Sequence, residues 1–117
     1  MNKYRNKRVW AFGRWWDSQF EYNYYYYLLE KEKQGIINDL QIQVPFTLID
    51  KSKYGTAIKY IADFVYYKDN KMVVVDAKGV KTPTYKLKAR LFAERYGFEI
   101  KEVRNDSKWS VWYWQKR

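Results

Sequence analysis

The sequence predicts an α/β domain in the order α-β-β-β-α-β, with a mixed central sheet flanked by helices. Two segments carry helix-capping signals around a 3.6-residue apolar period, and the segments between and after them read as strands. No internal repeat or Pro/Gly-rich linker divides the 117 residues, a length suited to one modest core. At 47% hydrophobic residues, the chain can pack a globule.

Each element has its own signal. Residues 1–14 hold Lys3, Arg5, Lys7, Arg8 and Arg14 among Tyr4, Trp10 and Phe12, and read as a basic arm or an irregular first strand. The first helix starts at Asp17-Ser18 and runs to about Lys33, with Gly35 as a stop. Ser18 as N-cap puts Glu21 at the third helical position, a capping box. Phe20, Tyr24, Tyr27 and Leu28 share one face, and Glu21 lies at its border. Residues 40–48 alternate apolar and polar, with Pro45 marking an edge or a bulge. A polar turn at 51–56 leads to strands at 58–67 and 72–78, joined through Lys68-Asp69-Asn70-Lys71. The second helix is capped by Thr82, carries Pro83 in its first turn and stops at Gly97. Tyr85, Ala89, Phe92 and Tyr96 form its stripe. A strand follows at 98–103, with right-handed βαβ connection expected. The aromatic run K-W-S-V-W-Y-W at 108–114 fits a last strand or a short helix. The chain thus divides into an arm at 1–14, a core at 17–103 and an aromatic C-terminal segment at 104–117.

Charge narrows the partners. With 23 Lys/Arg against 13 Asp/Glu the net charge is +10, and a small basic domain of this kind suits a polyanion, above all nucleic acid. Aromatics make up 21%, including 13 Tyr and 6 Trp, and rings among Lys and Arg suit a surface that stacks bases, although many must build the core. There is no Cys and no His, so zinc fingers, thiol nucleophiles and Ser-His-Asp triads are excluded. Hydrolysis would need carboxylates, Lys, Tyr or a hard cation held by oxygen. No stretch is long and apolar enough to span a bilayer. The absence of a signal segment and of cysteine favours a cytoplasmic setting.

If Asp69-Asn70 form a two-residue turn, residue 68 pairs with 71 and Asp63 falls opposite Asp76, with Cβ atoms roughly 4.5–5.5 Å apart. Asp76 and Lys78 then share that face, and Val73, Val75 and Ala77 point into the core. Two opposed carboxylates repel, and a divalent cation such as Mg²⁺ between them would offset the cost. Lys78 beside it could orient or deprotonate a water, or steady developing negative charge. Taken singly, each residue has a plainer reading. Asp76 and Lys78 fit a salt-bridged pair on a solvated sheet face, Asp63 a strand-end hydrogen bonder, and Glu21 a capping residue.

The ordered set Glu21, then I-A-D-F at 61–64, then V-V-V-D-A-K-G at 73–79 resembles the PD-(D/E)xK nuclease superfamily. D-S-x-x-E at 17–21, L-x-x-Q-V-x-F at 40–46 and T-x-x-Y-K-L-K at 82–88 extend a resemblance to small phage-encoded members described as nuclease-like or Holliday-junction-resolvase-like. Asp76 stands where many members carry Glu. The resemblance implies a restriction-endonuclease-like core and a Mg²⁺-dependent endodeoxyribonuclease, with Mn²⁺ as a substitute. Its catalytic set would be Glu21, Asp63, Asp76 and Lys78. Glu21, Asp63, Asp76 and the Ala77 carbonyl would hold the metal, and hydrolysis would leave 5′-phosphate and 3′-hydroxyl ends. Gln43 is expected to face the site, and Arg5, Lys7, Arg8, Arg14, Lys86 and Arg90 to contact DNA phosphates. A homodimer is expected for symmetric cutting of a branched substrate, with Leu87, Leu91 and the C-terminal aromatics as spare apolar surface. The competing readings are a general or nicking nuclease, a non-catalytic nucleic-acid-binding domain and a structural basic protein.

Overall fold

The computed structural model describes residues 8–77 and 81–104. Arg5, Lys7, Lys78 and the aromatic run at 108–114 lie outside the described residues. Ahead of the first helix the chain forms a hairpin, β1 (Val9–Ala11) with β2 (Arg14–Trp16). Phe12 and Gly13 turn it with φ of 54° and 75°, the positive-φ pair whose twist matches the flanking strands. Trp16 is fully buried and its indole N–H donates to the Ala11 carbonyl at 3.0 Å. The packed fold therefore begins before residue 17.

Helix α1 (Gln19–Lys33) starts where its cap dictates. The Ser18 side chain accepts from the Glu21 backbone N–H, and Gln34 closes the other end. Its buried residues are Glu21, Asn23, Tyr24 and Leu28. β3 (Asn38–Ile49), β4 (Ile58–Lys68), β5 (Lys71–Ala77) and β6 (Lys101–Val103) form one sheet in the order β3-β4-β5-β6. The first three strands run antiparallel. β6 runs parallel to β5, with helix α2 (Pro83–Tyr96) connecting them. Pro45 sits on the edge strand β3 opposite Ile61, where its missing N–H costs no ladder bond to a further strand. Thr82 caps α2 through the Tyr85 N–H, and Gly97 ends it in the left-handed region at φ 83°. No helix among the described residues is long and apolar enough to cross a membrane.

The two helices cover two cores. Trp16, Tyr24 and Leu28 pack with Phe64, Tyr66, Val75 and Ala77. Tyr85 and Phe92 pack with Tyr60, Ala62, Val65 and Val74. Both faces of β5 are thus covered, as its uninterrupted Val73-Val74-Val75 run allows. The solvated face expected at Asp76 does not exist: Asp76 is 2% exposed. A parity argument assigns one face of the strand to water only when a single helix covers the sheet.

Candidate active site

The hairpin between β4 and β5 fixes the site's register. Asp69 and Asn70 both take positive φ, 52° and 63°, so the turn holds two residues and Lys68 pairs with Lys71. The ladder continues to Phe64 opposite Val75. One step further lie Asp63 and Asp76. Asp63 Oδ2 accepts the Ala77 backbone N–H at 2.8 Å, so its carboxylate is held against the residue that follows Asp76.

Asp63 also stands where the β3-β4 pair is wrung. Ile42 pairs with Phe64 and Val44 with Ala62. Leu40, Ile42, Phe64 and Tyr66 pack in the α1 core, whereas Val44, Phe46, Ala62 and Tyr60 pack in the α2 core. All are even-numbered, and a regular strand would keep them on one face. The switch falls at Gln43, whose φ is 53°, across from Asp63. This strained position for a residue other than glycine is the kind that clusters at functional sites.

The switch brings Tyr60 to Asp76. The Tyr60 hydroxyl donates to Asp76 Oδ2 at 2.7 Å inside the protein, which supplies a hydrogen bond that a buried carboxylate requires. Burial drives the Tyr60 hydroxyl far above its ordinary pKa, and the charge of Asp76, its hydrogen bond and the charge of Asp63 push the same way. Tyr85 is raised too, first by burial, then by its hydrogen bond to Glu102 and by the charge of Asp76. Both tyrosines are therefore neutral donors at physiological pH.

Glu102 lies beside Asp76 on β6. It accepts from the Tyr85 hydroxyl at 2.8 Å and pairs with Lys81 at 2.6 Å. These contacts, the one from Lys81 foremost, hold its carboxyl below the usual range. Lys81, Tyr85 and Glu102 thus tie the start of α2 to the strand next to Asp76. Sequence reasoning missed Tyr60, Lys81 and Glu102 and placed Tyr85 only in an apolar stripe. Nothing in strand alternation reports a partner three residues from Asp63, and a parallel register across a helix is not encoded in a turn.

Glu21 is buried in the first turn of α1. Its Oε2 lies 3.5 Å from the Gln43 Nε2 donor, and its Oε1 is buried without a hydrogen-bond partner. Gln43 therefore relates Glu21 to the wrung segment that carries Asp63. Among the described residues no three Asp or Glu side chains stand close enough together to hold one metal ion, so Glu21, Asp63 and Asp76 do not form one such group.

The basic residues are dispersed. Arg8 lies 5.0 Å from the Trp15 ring and Arg14 4.0 Å from that of Trp16. Arg14 Nη1 is buried without a hydrogen-bond partner. Lys86 and Arg90 are exposed on α2, with Arg90 3.6 Å from Glu94, an exposed pair of small energetic weight. Leu87 is exposed, while Leu91 packs against the α2 core, so only one of the two supplies spare surface.

A family model described as "Protein of unknown function (DUF1064)" matches residues 1–115. No curated protein and no solved structure matches the chain.

Proposed function

We propose that this chain, which belongs to the DUF1064 family of unknown function, is a Mg²⁺-dependent endonuclease that hydrolyses phosphodiesters in branched DNA. The observation that carries the reading is the placing of Asp63 and Asp76 one step beyond the last pair of the β4-β5 ladder, with Asp63 fixed to the Ala77 N–H and Asp76 to the Tyr60 hydroxyl. Two neighbouring carboxylates in a covered sheet cost stability, and a hard cation offsets that cost. Mg²⁺ suits them, since it takes oxygen donors, keeps several waters and needs only one or two protein carboxylates beside a substrate phosphate. The orphaned Glu21 Oε1 adds an unsatisfied oxygen in the helix next to the site, and the chain has no Cys or His to offer a thiolate or an imidazole.

Asp63, Asp76 and the Ala77 carbonyl would hold the ion, with Glu21 reaching it only through water, since the three carboxylates do not form one group. The bound ion supplies charge neutralisation at the phosphate and acidifies water. Tyr60 holds Asp76 in one rotamer. Lys78 steadies charge developing on the phosphoryl oxygens. A water attacks phosphorus in line and releases a proton to bulk water, the bond to the 3′-oxygen breaks, and that oxygen takes up a proton from bulk water, leaving 5′-phosphate and 3′-hydroxyl ends. The charge of +10 draws the duplex to the domain.

The test is incubation with end-labelled linear, nicked, single-stranded and four-way DNA, with Mg²⁺, Mn²⁺ or EDTA. Metal-dependent cutting of the four-way substrate is expected. Cutting of linear DNA at the same rate would make the enzyme a general nuclease, and tight binding without cutting in any metal would make it a binding domain.

Symmetric incision needs two sites, and one copy of this chain supplies one, so a two-fold homodimer belongs to the proposal. Sedimentation at micromolar concentration is expected to show a dimer, alone or on four-way DNA. A monomer under both conditions would leave nicking as the activity.

A further inference from the structure

We propose that the β1-β2 hairpin is a stacking platform for unpaired bases of DNA. Its two faces are chemically opposite. Val9, Ala11 and Trp16 pack inward, while Trp10 and Trp15 are 59% and 48% exposed. Trp10 and Trp15 are cross-strand partners, and their rings meet edge to face at 5.4 Å. This leaves two indoles presented outward by a two-strand hairpin. Exposing two such rings is costly for a monomer and marks a surface that receives a partner.

The anchoring of the hairpin makes the platform rigid. Trp16 is clamped between the Ala11 carbonyl, 3.0 Å from its indole nitrogen, and the rings of Tyr25 and Phe64, at 4.6 and 6.3 Å. Phe12 at the turn packs on Tyr22 and Tyr25 of α1. The same Phe64 follows Asp63 in β4, so the platform is packed directly onto the segment that carries the candidate site.

Charge decides the partner. The Arg8 guanidinium lies 5.0 Å from the Trp15 ring, and the whole chain carries +10. An apolar protein partner would gain nothing from a guanidinium stacked on the exposed ring. A nucleic acid strand gains both a phosphate contact and an aromatic face on which any base can stack. A perfect duplex keeps its base faces covered, whereas a flap or a gap offers unpaired bases and an open branch point offers unstacked pair faces. The platform therefore favours DNA with unpaired bases, and it supplies a reason for branch selectivity that the carboxylates alone do not. It rests on the reading of DNA as substrate, but not on cleavage.

The experiment is fluorescence anisotropy in EDTA, so that no cutting occurs, with the full chain and labelled single-stranded, blunt duplex and four-way DNA containing an unpaired segment. Trp10→Ala with Trp15→Ala is expected to weaken single-stranded and unpaired-segment binding by about tenfold or more, the scale of lost base stacking. Blunt-duplex binding should change less than threefold. Trp10→Phe with Trp15→Phe, which keeps aromatic faces, should retain most of the affinity and shows that the hairpin still folds. Equal losses on all three DNAs, or none, would overturn the platform. So would conversion of a dimer to a monomer by the alanine variant with single-strand affinity intact, since the surface would then be a self-interface. Failure of cleavage in the metal assay leaves these outcomes untouched, and failure to bind any DNA in EDTA overturns the platform and the DNA reading together.

Discussion

Replacing Asp76 by asparagine is expected to lower cleavage by at least about a hundredfold, the scale of losing one contact that stabilises transition-state charge, while the protein stays folded. Asparagine keeps the shape and an acceptor for the Tyr60 hydroxyl, which bonds Asp76 at 2.7 Å, but it removes the negative charge that would hold a cation. The same substitution should abolish stabilisation by metal. For the native chain, Mg²⁺ or Mn²⁺ at about ten times its Kd adds ~1.4 kcal/mol to the folded state, or about 5 °C in Tm for a domain of this size. Asp63→Asn should behave alike, because Asp63 is the other carboxylate at this level and its Oδ2 accepts from Ala77. The paired measurement is cleavage of four-way DNA beside melting curves with and without metal. Native cleavage in both variants would remove the carboxylates from the chemistry. A native Tm indifferent to Mg²⁺, Mn²⁺ and Ca²⁺ would remove the metal.

Replacing Phe92 by alanine is expected to cost about 3–5 kcal/mol, as for other fully buried aromatic rings, and to lower Tm by more than about 10 °C. Phe92 is 0% exposed, and its ring meets those of Phe46, Tyr96 and Phe98 at 5.2, 4.9 and 5.3 Å. It also meets Tyr60 at 6.2 Å, so the cavity would open beneath the tyrosine that holds Asp76. Phe92→Leu, which fills much of the space, should cost under about 2 kcal/mol. Urea unfolding of both variants checks the ranking, and similar losses for leucine and alanine would mean that the site collapses around either. A loss below about 1 kcal/mol for alanine would show that α2 is not held to the sheet through this ring.

The residues that announce themselves by local chemistry were legible in the sequence. Ser18 and Thr82 cap because a hydroxyl before a helix satisfies its open N–H groups, and both do so here. Gly97 stops α2 at φ 83°, where a side chain would be strained. Asp69-Asn70 set a two-residue turn, and that turn alone carried the ladder from Lys68 opposite Lys71 to Phe64 opposite Val75. The neighbourhood of Asp63 and Asp76 followed from it, while the α-β-β-β-α-β order after the first hairpin was read from the caps and the apolar periods.

Tertiary structure alone decided the environment of those acids. Alternation assigns Asp76 to a solvated face, yet α2 covers that face and the carboxylate is buried. Tyr60 and Asp63 are three residues apart, and a regular strand would send them to opposite sides. The positive φ at Gln43 and the change of inward face between Ala62 and Phe64 bring Tyr60 to Asp76. Glu102 reaches its place beside Asp76 only through the β5-α2-β6 crossover, whose register depends on how α2 packs. Caps and tight turns are written in a few consecutive residues because their hydrogen bonds close locally. Burial, face and cross-strand partners depend on surfaces that meet only after the chain has folded.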